Sequence, residues 1–256
     1  MKEIHVRLMT LLSQSVTIYH MSWWLDFQLF LFDFDGLLVN TEALHFEAYQ
    51  RMCSQRGYFL DWTYEEFSKA SHFDPTLLEK KIYEKFPSLK KDEPTWAVLY
   101  AEKKKNYLHL LEEKGAPLMP GVEAFLTLLF QKGSRMCVVT HSPSEQIHAI
   151  CEKNPLLKKI PHWITREHYV RAKPFPDCYM KALELLAKPH DRVIGFEDSP
   201  RGLQALLSTP RTQAVLVNDF LIPELAPLVL RKEVSYFRSF EEVLQKGIEP
   251  LNTVPS

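Results

Sequence analysis

The chain has 256 residues, 46% of them hydrophobic, and a formal net charge of -1. That length and apolar content suit one large domain, or a core with a smaller companion, and exclude global disorder. Balanced charge gives no broad electrostatic footprint for nucleic acid. The cysteines Cys53, Cys137, Cys151 and Cys178 show no Cys-x-x-Cys spacing. Reduced thiols in a cytoplasmic protein are expected, not a disulfide framework or a zinc site. No uninterrupted apolar run approaches the roughly eighteen residues of a membrane span.

In chain order, residues 1–25 read as an extension outside the fold. Lys2 and Arg7 precede the short run Leu8 to Leu12, but no small-residue cleavage site follows, so no signal peptide is expected. Met21 offers a second start just before the first strand. Leu29 to Phe32 is a bulky apolar run ended by turn chemistry, the pattern of a buried strand. Thr41 to Gly57 turns helical, with Leu44, Ala48 and Met52 at helical spacing. Residues 61–71, 74–86 and 93–114 read as three further helices. Thr63 and Asp74 are candidate N-caps, with Glu66 placed for a capping box and Pro75 at a first helical position. The stretch 41–116 shows no strong strand signal and looks like a helical insertion, ended by a stiff connector around Pro117 and Pro120.

Strands and helices then alternate. Strands are expected at 135–139, 162–164, 192–196, 213–217 and 235–237. Helices are expected at 122–132, 144–153, 177–187, 201–207 and 240–246, the last with Ser239 and Glu242 spaced as a capping box. Residues 221–230 are interrupted by prolines, and 249–256 read as a frayed tail. Alternation of this kind argues for an α/β fold: a parallel sheet with helices on both faces.

In such sheets ligands bind at the carboxyl ends of the strands. The first strand delivers Asp33 and Asp35, two negative charges that need a cation, a shared proton or solvent. The next delivers Thr140, His141 and Ser142. A later loop carries Lys173, and the strand near Phe196 delivers Glu197 and Asp198. Each alone is weak. Together they form a metal site beside an anion site, and phosphate is the anion that needs both.

The order of these residues resembles the haloacid dehalogenase-like superfamily of phosphotransferases, in its β-phosphoglucomutase-like, phosphoglycolate-phosphatase-like branch. The matching stretches are Asp33-Phe34-Asp35-Gly36-Leu37-Leu38-Val39-Asn40-Thr41-Glu42, Met119-Pro120-Gly121-Val122, Val138-Val139-Thr140, Lys173-Pro174-Phe175-Pro176-Asp177 and Gly195-Phe196-Glu197-Asp198-Ser199. The resemblance implies a Rossmann-like catalytic core over 26–40 and 117–248, and an inserted all-helical cap over 41–116. It implies Asp33 as nucleophile, Asp35 as general acid and base, and Thr140 and Lys173 as holders of the phosphoryl group. Asp33, Asp198, Glu197 and the main-chain carbonyl of Asp35 would hold Mg²⁺. Gly36, Thr41, His45, His141 and Ser142 complete the expected substrate surround.

The expected activity is Mg²⁺-dependent hydrolysis of a small phosphorylated metabolite by a monomer, with no nucleic-acid or membrane partner. A sugar-phosphate mutase is the enzymatic alternative, and an idle binding module on the same fold the other. Mutases of this branch carry a Gly and an Arg early in the cap. The corresponding Lys69-Ala70-Ser71-His72-Phe73-Asp74 has neither, which argues against a second-phosphate clamp. The run Lys103-Lys104-Lys105 reads as a solvated helix face, with a cap-side phosphate anchor as the alternative.

Overall fold

The computed structural model describes residues 26–246 apart from Asp74, and leaves aside the side chains at 68, 69, 71–73, 75 and 76. The extension 1–25, the tail 249–256 and the cap candidate Asp74 lie outside the described residues, as do most side chains of the segment 69–74.

Six strands form one parallel sheet: β1 (Leu29–Phe32), β2 (Arg135–Val139), β3 (His162–Ile164), β4 (Val193–Glu197), β5 (Thr212–Val217) and β6 (Ser235–Phe237). Their spatial order is β3-β2-β1-β4-β5-β6. Leu29 pairs with Arg135 on one side and with Val193 on the other. The order reverses direction at β1 and β4, so a crevice opens outside their carboxyl ends.

Strand alternation divides the core. Phe30, Phe32, Ile194 and Phe196 face α6 (Val122–Gln131), α7 (Ser144–Lys153) and α11 (Phe240–Lys246). Leu29, Leu31, Val193 and Leu216 face α8 (Asp177–Leu186) and α9 (Pro200–Leu207). Successive side chains of a strand point to opposite faces, and both faces here are covered, so the strands read as continuous apolar runs. On the first face the rings interlock. Phe125 lies 5.5 Å from Phe196 and 5.0 Å from Phe240, ring centre to ring centre.

Between β1 and α6 the chain is helical: α1 (Glu42–Gln55), α2 (Tyr64–Phe73), α3 (Pro75–Lys85), α4 (Pro87–Asp92) and α5 (Trp96–Lys114). These helices share a hydrophobic cluster of their own, including Met52, Phe67, Ile82 and Leu99. The Thr63–Glu66 box forms: the Thr63 amide donates to Glu66 at 2.7 Å and the Glu66 amide to Thr63 Oγ1 at 3.2 Å.

Some boundaries differ from the expectation. α4 was not anticipated, nor was α10 (Ala226–Leu230), which lies within the proline-interrupted stretch. Pro87 and Pro227 open these helices, where a missing N–H costs nothing. Glu242 does not close its box on Ser239. Its carboxylate instead accepts from the Arg238 amide at 2.5 Å, one residue earlier, while its own amide donates to Ser239 Oγ. All four cysteines are free and buried.

Truncating Phe125 to alanine removes a ring that touches both β-strand and helix partners. A loss of about 3–5 kcal/mol is expected, read as a lower urea midpoint with an unchanged slope.

Candidate active site

β1 ends at Phe32, and Asp33 continues the ladder by one bond, its amide donating to the Phe196 carbonyl at 3.0 Å. The chain then leaves the sheet in a tight turn, in which Gly36 donates to Val39 O at 2.9 Å. Asp33 and Asp35 therefore do not lie on one regular strand face. They diverge into two sub-sites.

The first sub-site is centred on an ammonium. Lys173 Nζ donates to Asp33 Oδ1 at 2.5 Å, to Glu197 Oε1 at 2.6 Å and to the Val139 carbonyl at 3.2 Å. Glu197 is fully buried inside β4, and its Oε1 also accepts from the Tyr179 hydroxyl at 2.5 Å. Burial opposes the charge on Lys173, but Asp33, Glu197 and Tyr179 outweigh it and hold its pKa well above the usual lysine range. Asp198 is buried as well, and carboxylate oxygens of Asp33, Glu197 and Asp198 lie within 4.8 Å of one another. Burial drives the carboxyls of Asp33 and Asp198 above their ordinary range, and neighbouring carboxylates add to the effect.

Three carboxylates thus cluster around one ammonium that pairs with two of them, Asp33 and Glu197, two positive charges short of balance if all ionise. Hard oxygen donors suit a hard divalent cation, which would make up that difference. The backbone leaves room for this crowding. A Cβ on Gly36, at φ +85°, would sit 2.3 Å from Asp198 Oδ2, and one on Gly202 would sit 2.0 Å from Glu197 Oε2. Only glycine lets both carboxylates occupy these places.

The second sub-site belongs to Asp35. Its Oδ1 accepts from Thr41 Oγ1 at 2.9 Å, and its Oδ2 accepts from Thr140 Oγ1 at 3.2 Å and Ser142 Oγ at 2.6 Å. Thr41 precedes α1 without capping it through its side chain, because its hydroxyl is spent on Asp35. The Asp35 carboxylate stands apart from the three-carboxylate cluster.

A model of haloacid dehalogenase-like hydrolases matches residues 30–208. The chain belongs to this family. It is 28% identical over 182 residues to a phosphorylated carbohydrates phosphatase of Thermotoga maritima, covering 70% of this chain and 79% of that one. It is also 28% identical over 198 residues to a β-phosphoglucomutase of Mycobacterium bovis, covering 68% and 75%. A haloacid dehalogenase-like hydrolase from Entamoeba histolytica has the same fold, with a TM-score of 0.63, 23% identity and coverage of 84% and 94%.

A cavity of about 330 Å³ lies over both sub-sites. Asp33, Asp35, Thr41, His45, His141, Lys173 and Asp198 all line it, while Glu197 lies buried beneath. Opposite them the helical segment contributes Tyr49, Phe67, Leu78, Tyr100 and Lys103.

Lys103 overturns one expectation. Lys104 and Lys105 are exposed, but Lys103 is buried in a ring of Tyr49, Tyr100 and Tyr107, with Nζ 2.6 Å from His45 Nδ1. His45 in turn stacks on Tyr107 at 4.0 Å. The signal was present in the helix: Tyr100, Lys103 and Tyr107 fall on one stripe at spacings of three and four. Tyr179 and Arg201 were also missed as site residues. Nothing in their local spacing points to the partners they reach.

Two outcomes follow. Gly36→Ala should weaken divalent-cation binding by about 10–100-fold, read by titration calorimetry. The second concerns Lys103, whose pKa burial lowers to about 7, with Asp35 opposing and Lys104 adding. An unfolded chain keeps that proton to about pH 10.4, so between these values the unfolded state binds more protons and native stability rises with pH. The penalty is full below pH 7. Lys103→Met should therefore be stabilised relative to the parent most at pH 6, with the gap narrowing towards pH 10 in urea titrations.

Proposed function

We propose that this chain is a Mg²⁺-dependent phosphatase, hydrolysing a small phosphate monoester through an aspartyl-phosphate on Asp33. The observation that carries this reading is the pairing of the two sub-sites. A buried carboxylate bridged to Lys173 lies next to two more carboxylates, and a separate, hydroxyl-bound Asp35 shares the same cavity.

Asp33, Asp198 and the main-chain carbonyl of Asp35 would hold the ion, with Glu197 ligating directly or through water. The ion would supply positive charge to the phosphoryl oxygens. Lys173 offsets the remaining repulsion between an anionic nucleophile and an anionic phosphoryl group. An Asp33 oxygen attacks phosphorus, and the bond to the leaving oxygen breaks. Asp35 gives that oxygen its proton. Asp35 then takes a proton from water, whose oxygen attacks the same phosphorus, releasing phosphate and restoring the Asp33 carboxylate. Thr140 and Ser142, now bound to Asp35, stand where a phosphoryl oxygen can claim their donors.

In this reading the helical unit, 41–116, is the cap and chooses the leaving group. Its wall of Tyr49, Phe67, Leu78 and Tyr100 favours a compact substrate with an apolar face. The names of the relatives, one a phosphatase of phosphorylated carbohydrates, support a sugar phosphate. A mutase is the second reading, favoured by Lys103 facing the pocket and by the mutase named among the relatives. The four buried, unpaired thiols fit a reducing compartment such as the cytoplasm.

Purified protein should release phosphate from p-nitrophenyl phosphate with Mg²⁺ present and cease on chelation with EDTA. Asp33→Asn should fall to background. Asp35→Ala should lose about 10²–10⁴-fold on alkyl phosphates, and less on p-nitrophenyl phosphate, whose leaving group needs no proton. Sustained isomerisation of a hexose phosphate primed by a bisphosphate would replace phosphatase with mutase.

A further inference from the structure

Lys173 has to hold its ammonium between two carboxylates, yet it sits in a loop outside any strand or helix. A lysine stem is flexible, so placing Nζ requires a fixed main chain. Both peptide groups flanking the Lys173 Cα are held by side chains. Its N–H donates to His141 Nε2 at 2.8 Å, and its carbonyl accepts from Arg201 Nη2 at 2.6 Å. His141 stands two residues past the end of β2, and Arg201 lies in the first turn of α9.

We infer that His141 and Arg201 are positioning residues, a two-point clamp on the main chain of Lys173 in which His141 serves as the neutral Nδ1–H tautomer. A ring nitrogen that accepts from an amide carries no proton, so the proton belongs on Nδ1. The surroundings agree. Burial, together with Lys173, Arg201 and Arg166, lowers the His141 pKa to about 3. The tyrosine ring of Tyr169, tilted 5.9 Å away, is the aromatic neighbour. The clamp makes three strand ends interdependent: β2 supplies the histidine, the β4–α9 junction supplies the arginine, and β1 supplies the Asp33 that the lysine meets. This inference rests on reading Lys173 as the residue that offsets charge during phosphoryl transfer.

A glutamine places an acceptor oxygen near the position of Nε2, whereas alanine leaves the amide unpaired. His141→Ala should lower kcat/KM on p-nitrophenyl phosphate by about 10–100-fold, the usual cost of losing a supporting hydrogen bond at a site. His141→Gln should recover at least about tenfold of that loss. Arg201→Ala should also fall, and the double variant His141→Ala/Arg201→Ala should lose less than the product of the two singles, since both act on one residue. Equal impairment of the alanine and glutamine variants, full activity of His141→Ala, or multiplicative losses would overturn the clamp. A second measurement is independent of turnover and of whether the alanine variant folds. In long-range ¹H–¹⁵N spectra of the parent protein at pH 7, the His141 signal, assigned by its absence in His141→Gln, should show the Nδ1–H tautomer. A protonated Nε2 would refute the inference even in an active enzyme. A correct tautomer in a protein that releases no phosphate would instead refute the phosphatase reading.

Discussion

A buried ammonium between two carboxylates is the constraint on which the rest depends. Isolated, any of the three charges would be too costly to bury, and removing one partner from such a group typically costs about 3–5 kcal/mol. Lys173 meets Asp33 at 2.5 Å and Glu197 at 2.6 Å, so each of the three charges has an opposite partner. The tyrosine beneath completes the floor. Its hydroxyl donates to the same Glu197 oxygen at 2.5 Å, and its ring faces the ammonium at 5.0 Å. Even so, Asp198 is left over, and together with Asp33 and Glu197 it forms a buried acidic cluster that could hold a divalent cation.

The fold was largely legible because its signals are local and repeated. The run Leu29 to Phe32, the later apolar runs and the helical periodicities between them gave every strand and most helices to within a residue or two. What escaped was short. α4 and α10 have five or six residues and open on prolines, which in a sequence look like interruptions. In the site, the acidic and basic residues at strand ends could be read from their order along the chain. The contacts of Tyr179, Arg201 and Lys103 could not, because each depends on where a loop or a helix face comes to rest. Lys103 and Lys104 are neighbours in sequence, yet one is enclosed by three tyrosines and the other is in water. A helix turns 100° between them, and charge composition carries no record of that rotation.

The two walls of the cavity divide the work. The sheet edge carries nearly all the charge and is held by hydrogen bonds whose partners come from different strands. The helical wall is mostly aromatic and has its own hydrophobic cluster. Thr41 and His45 join the two. The first binds Asp35 at the base of α1, and the second, one turn on, meets Lys103. A change in the packing of α5 against α1 therefore reaches the Asp35 sub-site through a single helical turn.

The position of β1 has a consequence for how the chain is made. It lies in the middle of the sheet and, among the described strands, comes first in chain order. Its partners at Arg135 and Val193 follow 106 and 164 residues later, by the difference in number from Leu29. Until then Phe30 and Phe32 have no sheet to enter, and both backbone edges of the strand are open. Such non-local pairing is slow and exposes the segment to wrong partners. The helical segment is synthesised in that interval, with short-range contacts that need no sheet. It thus has packing partners available while β1 still waits for its neighbours in the sheet.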